Sequence, residues 1–213
     1  MQAREGDLLE NAKGLIFDVK GLVHPPEKIV AFPRFIPNPQ GTRMREGAAY
    51  EKVYALSERF KLLEAHFPDY LVVDPVFGER LCEVPKKDIT HHYDPVDYLR
   101  KLRGSSQLDE LEADTLCFLE VLRDRAKVAW AKLGISGSLL VRLHTLKSDI
   151  DPVVYGARNC LKVHEALKSL TKDAKSVVKT YSPEELSGLY DFRSQDTQMS
   201  FEDFAKTERR KVL

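Results

Sequence analysis

The stretch Ile135-Ser136-Gly137-Ser138-Leu139-Leu140-Val141-Arg142-Leu143-His144-Thr145-Leu146-Lys147-Ser148-Asp149-Ile150-Asp151 is the most informative part of this chain. It reads as a Gly-Ser turn, a short helical segment, a polar loop and then two aspartates separated by one residue. On extended backbone, residues i and i+2 share a face. The spacing therefore predicts a strand over Asp149 to Tyr155 that projects Asp149 and Asp151 side by side. Paired carboxylates repel unless a cation lies between them, and oxygen-only ligands suit Mg²⁺ or Mn²⁺. Gly137 permits close backbone approach, and the amides after it can hold a phosphate. A phosphate cradle beside a two-carboxylate metal site is what nucleotidyl transfer requires.

This pattern resembles the signature of the DNA polymerase beta-like nucleotidyltransferase superfamily: Gly-Ser, a ten-residue spacer, then Asp-hydrophobic-Asp in the form Ser148-Asp149-Ile150-Asp151. The wider chain resembles a set of uncharacterised archaeal predicted nucleotidyltransferases. Val72-Val73-Asp74-Pro75-Val76-Phe77-Gly78 and Phe201-Glu202-Asp203-Phe204, before Glu208-Arg209-Arg210-Lys211-Val212-Leu213, carry that likeness. The resemblance implies an α+β fold: a nucleotidyltransferase core, with a short mixed β-sheet and flanking helices, preceded by a small β-rich N-terminal region. It implies a nucleoside triphosphate as substrate and an RNA or protein acceptor. Asp149 and Asp151 would be the catalytic, metal-holding pair. Gly137 and Ser138 would hold phosphates, with Arg142, Lys147 and Ser148 also on the nucleotide. Three departures stand out. No third carboxylate can be placed on a later strand, Pro152 follows Asp151 directly, and Arg142 stands where many members have glycine. The rival reading is a non-catalytic nucleotide- or RNA-binding module on the same fold. A third is an interaction domain that docks a protein partner through the N-terminal region.

The rest of the chain divides near Gly104-Ser105-Ser106, giving a β-rich region over 1–104 and a core over 105–213. In the first part, Leu15 to Val19 and Ile29 to Phe32 read as strands. The prolines at 25, 26, 33, 37 and 39 argue for edge strands or a loosely regular sheet. Tyr70 to Val73 and Arg80 to Val84 read as a hairpin, and Ser57 opens a helix over Glu58 to His66. Asp94-Pro95 supplies an N-cap and a first-turn proline for a helix to about Arg103. In the second part a long amphipathic helix is expected over Leu108 to Lys132, its apolar residues and Trp130 forming core. A helix from about Arg158 to Leu170 follows. Ser182-Pro183-Glu184-Glu185 forms a capping box, and Ser200 starts a last helix still running at Leu213, which reads as a truncated end.

Thirty-three basic and 33 acidic residues among 213 give zero formal charge, unlike a nucleic-acid coat protein. With 43% hydrophobic and 31% charged residues, and no apolar run of membrane-spanning length or secretory leader, a soluble cytoplasmic protein without a membrane partner is expected. High charge with scarce Asn and Gln is a pattern found in thermophile proteins. Cys82, Cys117 and Cys160 fit neither a zinc spacing nor a disulfide framework and read as buried thiols. Adjacent His91 and His92 do not share a face and make a poor metal cluster with Asp94. His144 and Lys147 could touch phosphates, though solvated loop positions are the simpler reading. The aromatic and basic mix of Lys20, His24, Lys28, Phe32, Arg34, Phe35, Arg43 and Arg45 reads first as a β surface covered by basic stems, and second as a nucleic-acid groove.

Overall fold

Short apolar runs separated by glycine and proline build an eight-stranded antiparallel sheet from the first hundred residues. Its strands are β1 (Leu8–Asn11), β2 (Ile16–Val19), β3 (Lys28–Pro37), β4 (Arg43–Arg45), β5 (Ala48–Lys52), β6 (Leu71–Val73), β7 (Arg80–Pro85) and β8 (Ile89–Tyr93). This computed structural model describes residues 2–173, 175–176, 178–194 and 199–211. The main path runs β4-β5-β3-β2-β1-β8, with β7 joined to β3 and β6 to β7. β3 is the hub. Its start pairs with β7 from Lys28 to Val30, its middle with β2, and its end with β5 from Phe35 to Pro37. Of the two expectations that the prolines raised, edge strands or a loosely regular sheet, Pro33 fits the second, since it lies inside β3 opposite Phe17. The register shifts between Ile16 and Phe17, and such an irregularity is where a residue without an N–H is tolerated.

One face of the sheet buries Leu9, Phe17, Val19, Ile29, Ala31, Cys82 and Val84 together with Leu63, Phe67 and Tyr70. Leu63 belongs to helix α1 (Leu56–His66), close to the span expected. The β6–β7 hairpin forms as the sequence indicates. Asp74 accepts from the Val76 and Phe77 amides at 2.7 and 2.8 Å, and Gly78 takes φ +68° to close the turn. Asp94 caps α2 (Pro95–Arg103) by accepting from Val96 and Asp97.

The chain forms two compact units, Met1–Cys117 with Leu133–Val153, and Phe118–Lys132 with Val154–Leu213. The Gly-Ser turn and both aspartates fall in the same unit as the N-terminal sheet. The long helix is shorter than expected. It is α3 (Glu110–Ala126), and Trp130 lies beyond it in a separate short turn, half-buried under the Arg123 guanidinium. β9 (Leu133–Ile135), α4 (Gly137–Leu140) and β10 (Pro152–Val154) follow. β9 and β10 form a two-stranded ribbon, where the sequence suggested a short mixed sheet. The molecule is therefore α+β in class, with its large sheet in the N-terminal half.

In the second unit, α5 (Ala157–Leu170) buries Val163, Ala166 and Leu170. The capping box at Ser182 opens α6 (Pro183–Arg193), and Ser200 caps α7 (Phe201–Glu208) through the Asp203 amide. Tyr190 packs on Phe201 and Phe204 at 5.4 and 5.3 Å and donates to Met199 O, joining α6 to α7. The last helix ends at Glu208, ahead of the point expected. Residues 212 and 213 lie outside the described part. Among the described residues no helix is long and apolar enough to cross a membrane. Cys82 is buried as expected, whereas Cys117 and Cys160 are exposed.

Candidate active site

Gly137 opens α4 with φ +65°, a left-handed conformation that a side chain disfavours. A Cβ built on it would overlap Asp151 Oδ2 and lie 2.9 Å from Asp151 Cγ. The Gly-Ser turn is thus pressed directly against the second aspartate. The backbone holds this juxtaposition, because the Ser136 amide donates to Asp151 O at 2.9 Å, just beyond the β9–β10 ribbon. The predicted strand over Asp149 to Tyr155 is corrected to Pro152–Val154, so both aspartates precede the regular strand. Proline at its first position costs no ladder donor.

α4 ends in a Schellman turn. The Leu143 amide donates to Ser138 O at 2.9 Å and the Arg142 amide to Leu139 O at 3.0 Å. Arg142 then occupies the left-handed position at φ +55° that such a turn usually gives to glycine. Its place in the turn gives a structural reason for a glycine there. Leu140, Val141 and Leu143 pack with Phe35, Ile16, Leu8 and Tyr50, which seats the Gly-Ser segment on the sheet. Arg43 adds a polar tie, donating to Leu143 O at 2.5 Å and to Ser148 Oγ at 3.3 Å.

The electrostatics around Asp151 are mixed. Asp151 keeps access to solvent, yet the protein packed around it raises its carboxyl above the ordinary range. Neighbouring Asp149 adds to the rise, as does Asp18 on β2, while Lys52 and Arg34 oppose it. Lys52 is lowered in turn by burial and then by Arg34, with Arg43 contributing, against the pull of Tyr54 and Asp151. Asp18, Arg34, Arg43 and Lys52 were not assigned to this site from sequence. Arg34 and Arg43 appeared there only within the aromatic and basic mix, and no local signal links residues about a hundred positions or more apart. Two carboxylates that repel each other in a partly desolvated setting form a donor pair that fits a hard divalent cation.

The remaining sequence candidates scatter. Ser138 is almost fully buried, at 3% exposure. Ser148 Oγ accepts from the Thr145 amide at 2.9 Å and closes the loop that carries exposed Lys147. Arg142 lines a cleft of about 1030 Å³ with Glu10, Arg45, His92, Tyr93 and Tyr98, whose lining includes neither Asp149 nor Asp151. His144 turns to Asp109, 2.6 Å from its Oδ2. Asp109, Glu112 and His144 bring ligand atoms within 4.8 Å of one another, a set capable of holding a metal ion. Much of its geometry already serves the start of α3. Asp109 Oδ1 accepts from the Glu112 amide at 2.9 Å, and Glu112 Oε2 accepts from the Asp109 amide at 3.1 Å, a reciprocal cap. His92 bonds to Asp7 at 2.7 Å and His91 packs against Tyr93 with the rings tilted, so the adjacent histidines do diverge.

The chain is 32% identical over 219 residues to the uncharacterized protein MJ1086 of the archaeon Methanocaldococcus jannaschii. The match covers 99% of this chain and 64% of the relative, so the chain spans just under two thirds of that protein's length. No family model and no solved structure matches it.

Proposed function

We propose that this chain catalyses metal-dependent transfer of a nucleoside monophosphate from a nucleoside triphosphate to an acceptor. The observation that carries this reading is the overlap at Gly137, where any side chain would invade the space of the Asp151 carboxylate. A phosphate-approaching turn and an acid pair that belong to one site are what the transfer needs. Asp149 and Asp151 would hold Mg²⁺ or Mn²⁺, with Asp18 the further carboxylate within electrostatic range. The bound cation would neutralise phosphate charge and acidify the attacking group. The Gly137–Ser138 turn would hold the outer phosphates so that pyrophosphate leaves in line. Positioning and charge neutralisation would supply much of the rate.

A second reading keeps nucleotide binding without transfer. Among the described residues the three-ligand metal cluster is Asp109, Glu112 and His144, and it does not include the acid pair. Calorimetry with nucleoside triphosphates, with and without Mg²⁺, tests both. Metal-dependent binding by the wild type, abolished in Asp149→Ala/Asp151→Ala, is the expected result. Equal binding by that variant would remove the site. Binding without pyrophosphate release, across RNA and protein acceptors, would favour the non-catalytic module.

A further inference from the structure

His92 on β8 is backed by a carboxylate that the fold hides almost completely. It stands opposite Leu9 of β1. The Val19 amide donates to Asp7 O at 3.1 Å, one step beyond the β1–β2 ladder, so Asp7 shares the face of Leu9 and His92. The Asp7 side chain is 1% exposed, and its Oδ2 accepts from the Arg4 amide at 3.1 Å and lies 2.7 Å from His92 Nε2. An ionised carboxylate only accepts, so the shared proton belongs to Nε2. Asp7 Oδ1 is buried without a hydrogen bond, with Arg4 Nε 3.9 Å away. A buried carboxylate satisfied on one side favours a positive partner, and the imidazole is placed to become one. The other ring nitrogen, Nδ1, makes no hydrogen bond and is not sealed from solvent. His92 also lines the cleft of about 1030 Å³. Most charge around that cleft is already matched. Arg45 pairs with Glu10 at 2.6 Å and Lys101 with Asp97 at 2.8 Å, while Asp94 and Glu112 accept from amides at the starts of α2 and α3. Among the described residues, Arg142 and Glu46 are the lining charges without an ion pair or a side-chain hydrogen bond. Glu46 sits on the exposed β4–β5 turn, whereas Arg142 is held at φ +55° beside buried Val141. Strained positions of this kind cluster at ligand sites.

We propose that His92 is a nucleophile that takes a phosphoryl group on Nδ1, with Asp7 holding the ring and Arg142 drawing the anionic donor into the cleft. The donor is an acyl phosphate. The Nδ1 lone pair forms a bond to phosphorus, the P–O bond to the acyl group breaks, and its electron pair leaves on the carboxylate. The Nε2 proton stays between the ring and Asp7, whose charge offsets that of the phosphorylated imidazole. Metal binding is a poorer use of His92, because among the described residues the three-ligand group does not include it. The unpaired guanidinium selects an anionic electrophile over a neutral one. Neither Asp149 nor Asp151 lines the cleft, so this site stands or falls apart from the transfer reading.

The test incubates the full chain with acetyl phosphate in EDTA. Intact mass follows the label, peptide mass locates it, and phosphorus NMR tells which ring nitrogen carries it. The expected product holds a single phosphoryl group on Nδ1 of His92, lost in mild acid and kept in alkali, as a phosphorus–nitrogen bond requires. His92→Gln should abolish the label and His91→Gln should keep it. Asp7→Asn should slow labelling by about tenfold or more, a small part of what neutralising a triad carboxylate costs. Arg142→Gln should slow it about tenfold, as for one lost charge-stabilising donor. Melting curves check the fold, and Arg142→Gln, at an exposed position, carries the test if Asp7→Asn unfolds. An unlabelled wild type overturns the proposal and leaves Asp7 and His92 as a structural pair. Label on Nε2, on His91, or undiminished in His92→Gln overturns it too. So does an unchanged rate in a folded Asp7→Asn or in Arg142→Gln.

Discussion

At the scale of single residues, two left-handed positions flank α4 and carry opposite predictions. Gly137 needs its missing side chain twice, for φ +65° and for the room occupied by Asp151. Gly137→Ala should cost about 2 kcal/mol or more, the upper part of the range for local backbone strain, and should disturb the acid pair. Arg142 at φ +55° carries strain that a glycine would release. Arg142→Gly should leave the fold intact and stabilise it by up to about 1 kcal/mol. Urea denaturation of both variants gives the signs. A loss in Arg142→Gly would mean that the guanidinium makes contacts worth more than the strain.

At the scale of an element, the start of α3 depends on Asp109. Burial works against its charged form, but hydrogen bonds from His144 and from the Glu112 and Leu111 amides win, and the carboxyl is held below its ordinary value of 3.8. A depressed carboxyl stabilises the fold at pH above its unfolded value and loses that contribution as pH falls through the folded one. Asp109→Ala should therefore cost about 1 kcal/mol at neutral pH, the usual worth of an N-cap. The gap from wild type should close under acid conditions below the ordinary carboxyl range. Thermal melts of both proteins at several pH values read this directly, and a gap that persists in acid would assign the cost to packing.

At the scale of the whole molecule, the sheet and the Gly-Ser segment share one buried cluster. Phe35 is fully buried in one cluster with Leu140, Val141, Leu143, Ile16 and Tyr50. Phe35→Ala should cost about 3–5 kcal/mol, a large part of the 5–15 kcal/mol that holds a typical domain. Because that residue also seats the loop leading to Asp149, triphosphate binding should weaken even where the protein remains folded. Denaturant midpoints and calorimetry on the same samples separate the two effects. A variant that loses stability but keeps full binding would show that the site is organised without the sheet.

Local chemistry made several features legible in the sequence itself. Asp94, Ser182 and Ser200 announce helix starts because a cap is a contact between a side chain and amides two or three residues away. The β6–β7 hairpin is readable because its turn needs Asp74 and Gly78 at fixed offsets. The Gly-Ser and Asp-x-Asp spacing pointed to a turn facing an acid pair, and Gly137 does meet Asp151. Only the tertiary structure placed Pro33 inside a strand that pairs on both sides, since the register shift that accommodates it belongs to the partner as much as to the proline. The same holds for Asp18, Arg34 and Lys52 near Asp151. Sheet register and the packing of Phe35 bring those groups together across about a hundred residues or more, and no pattern of neighbouring positions encodes a contact of that length.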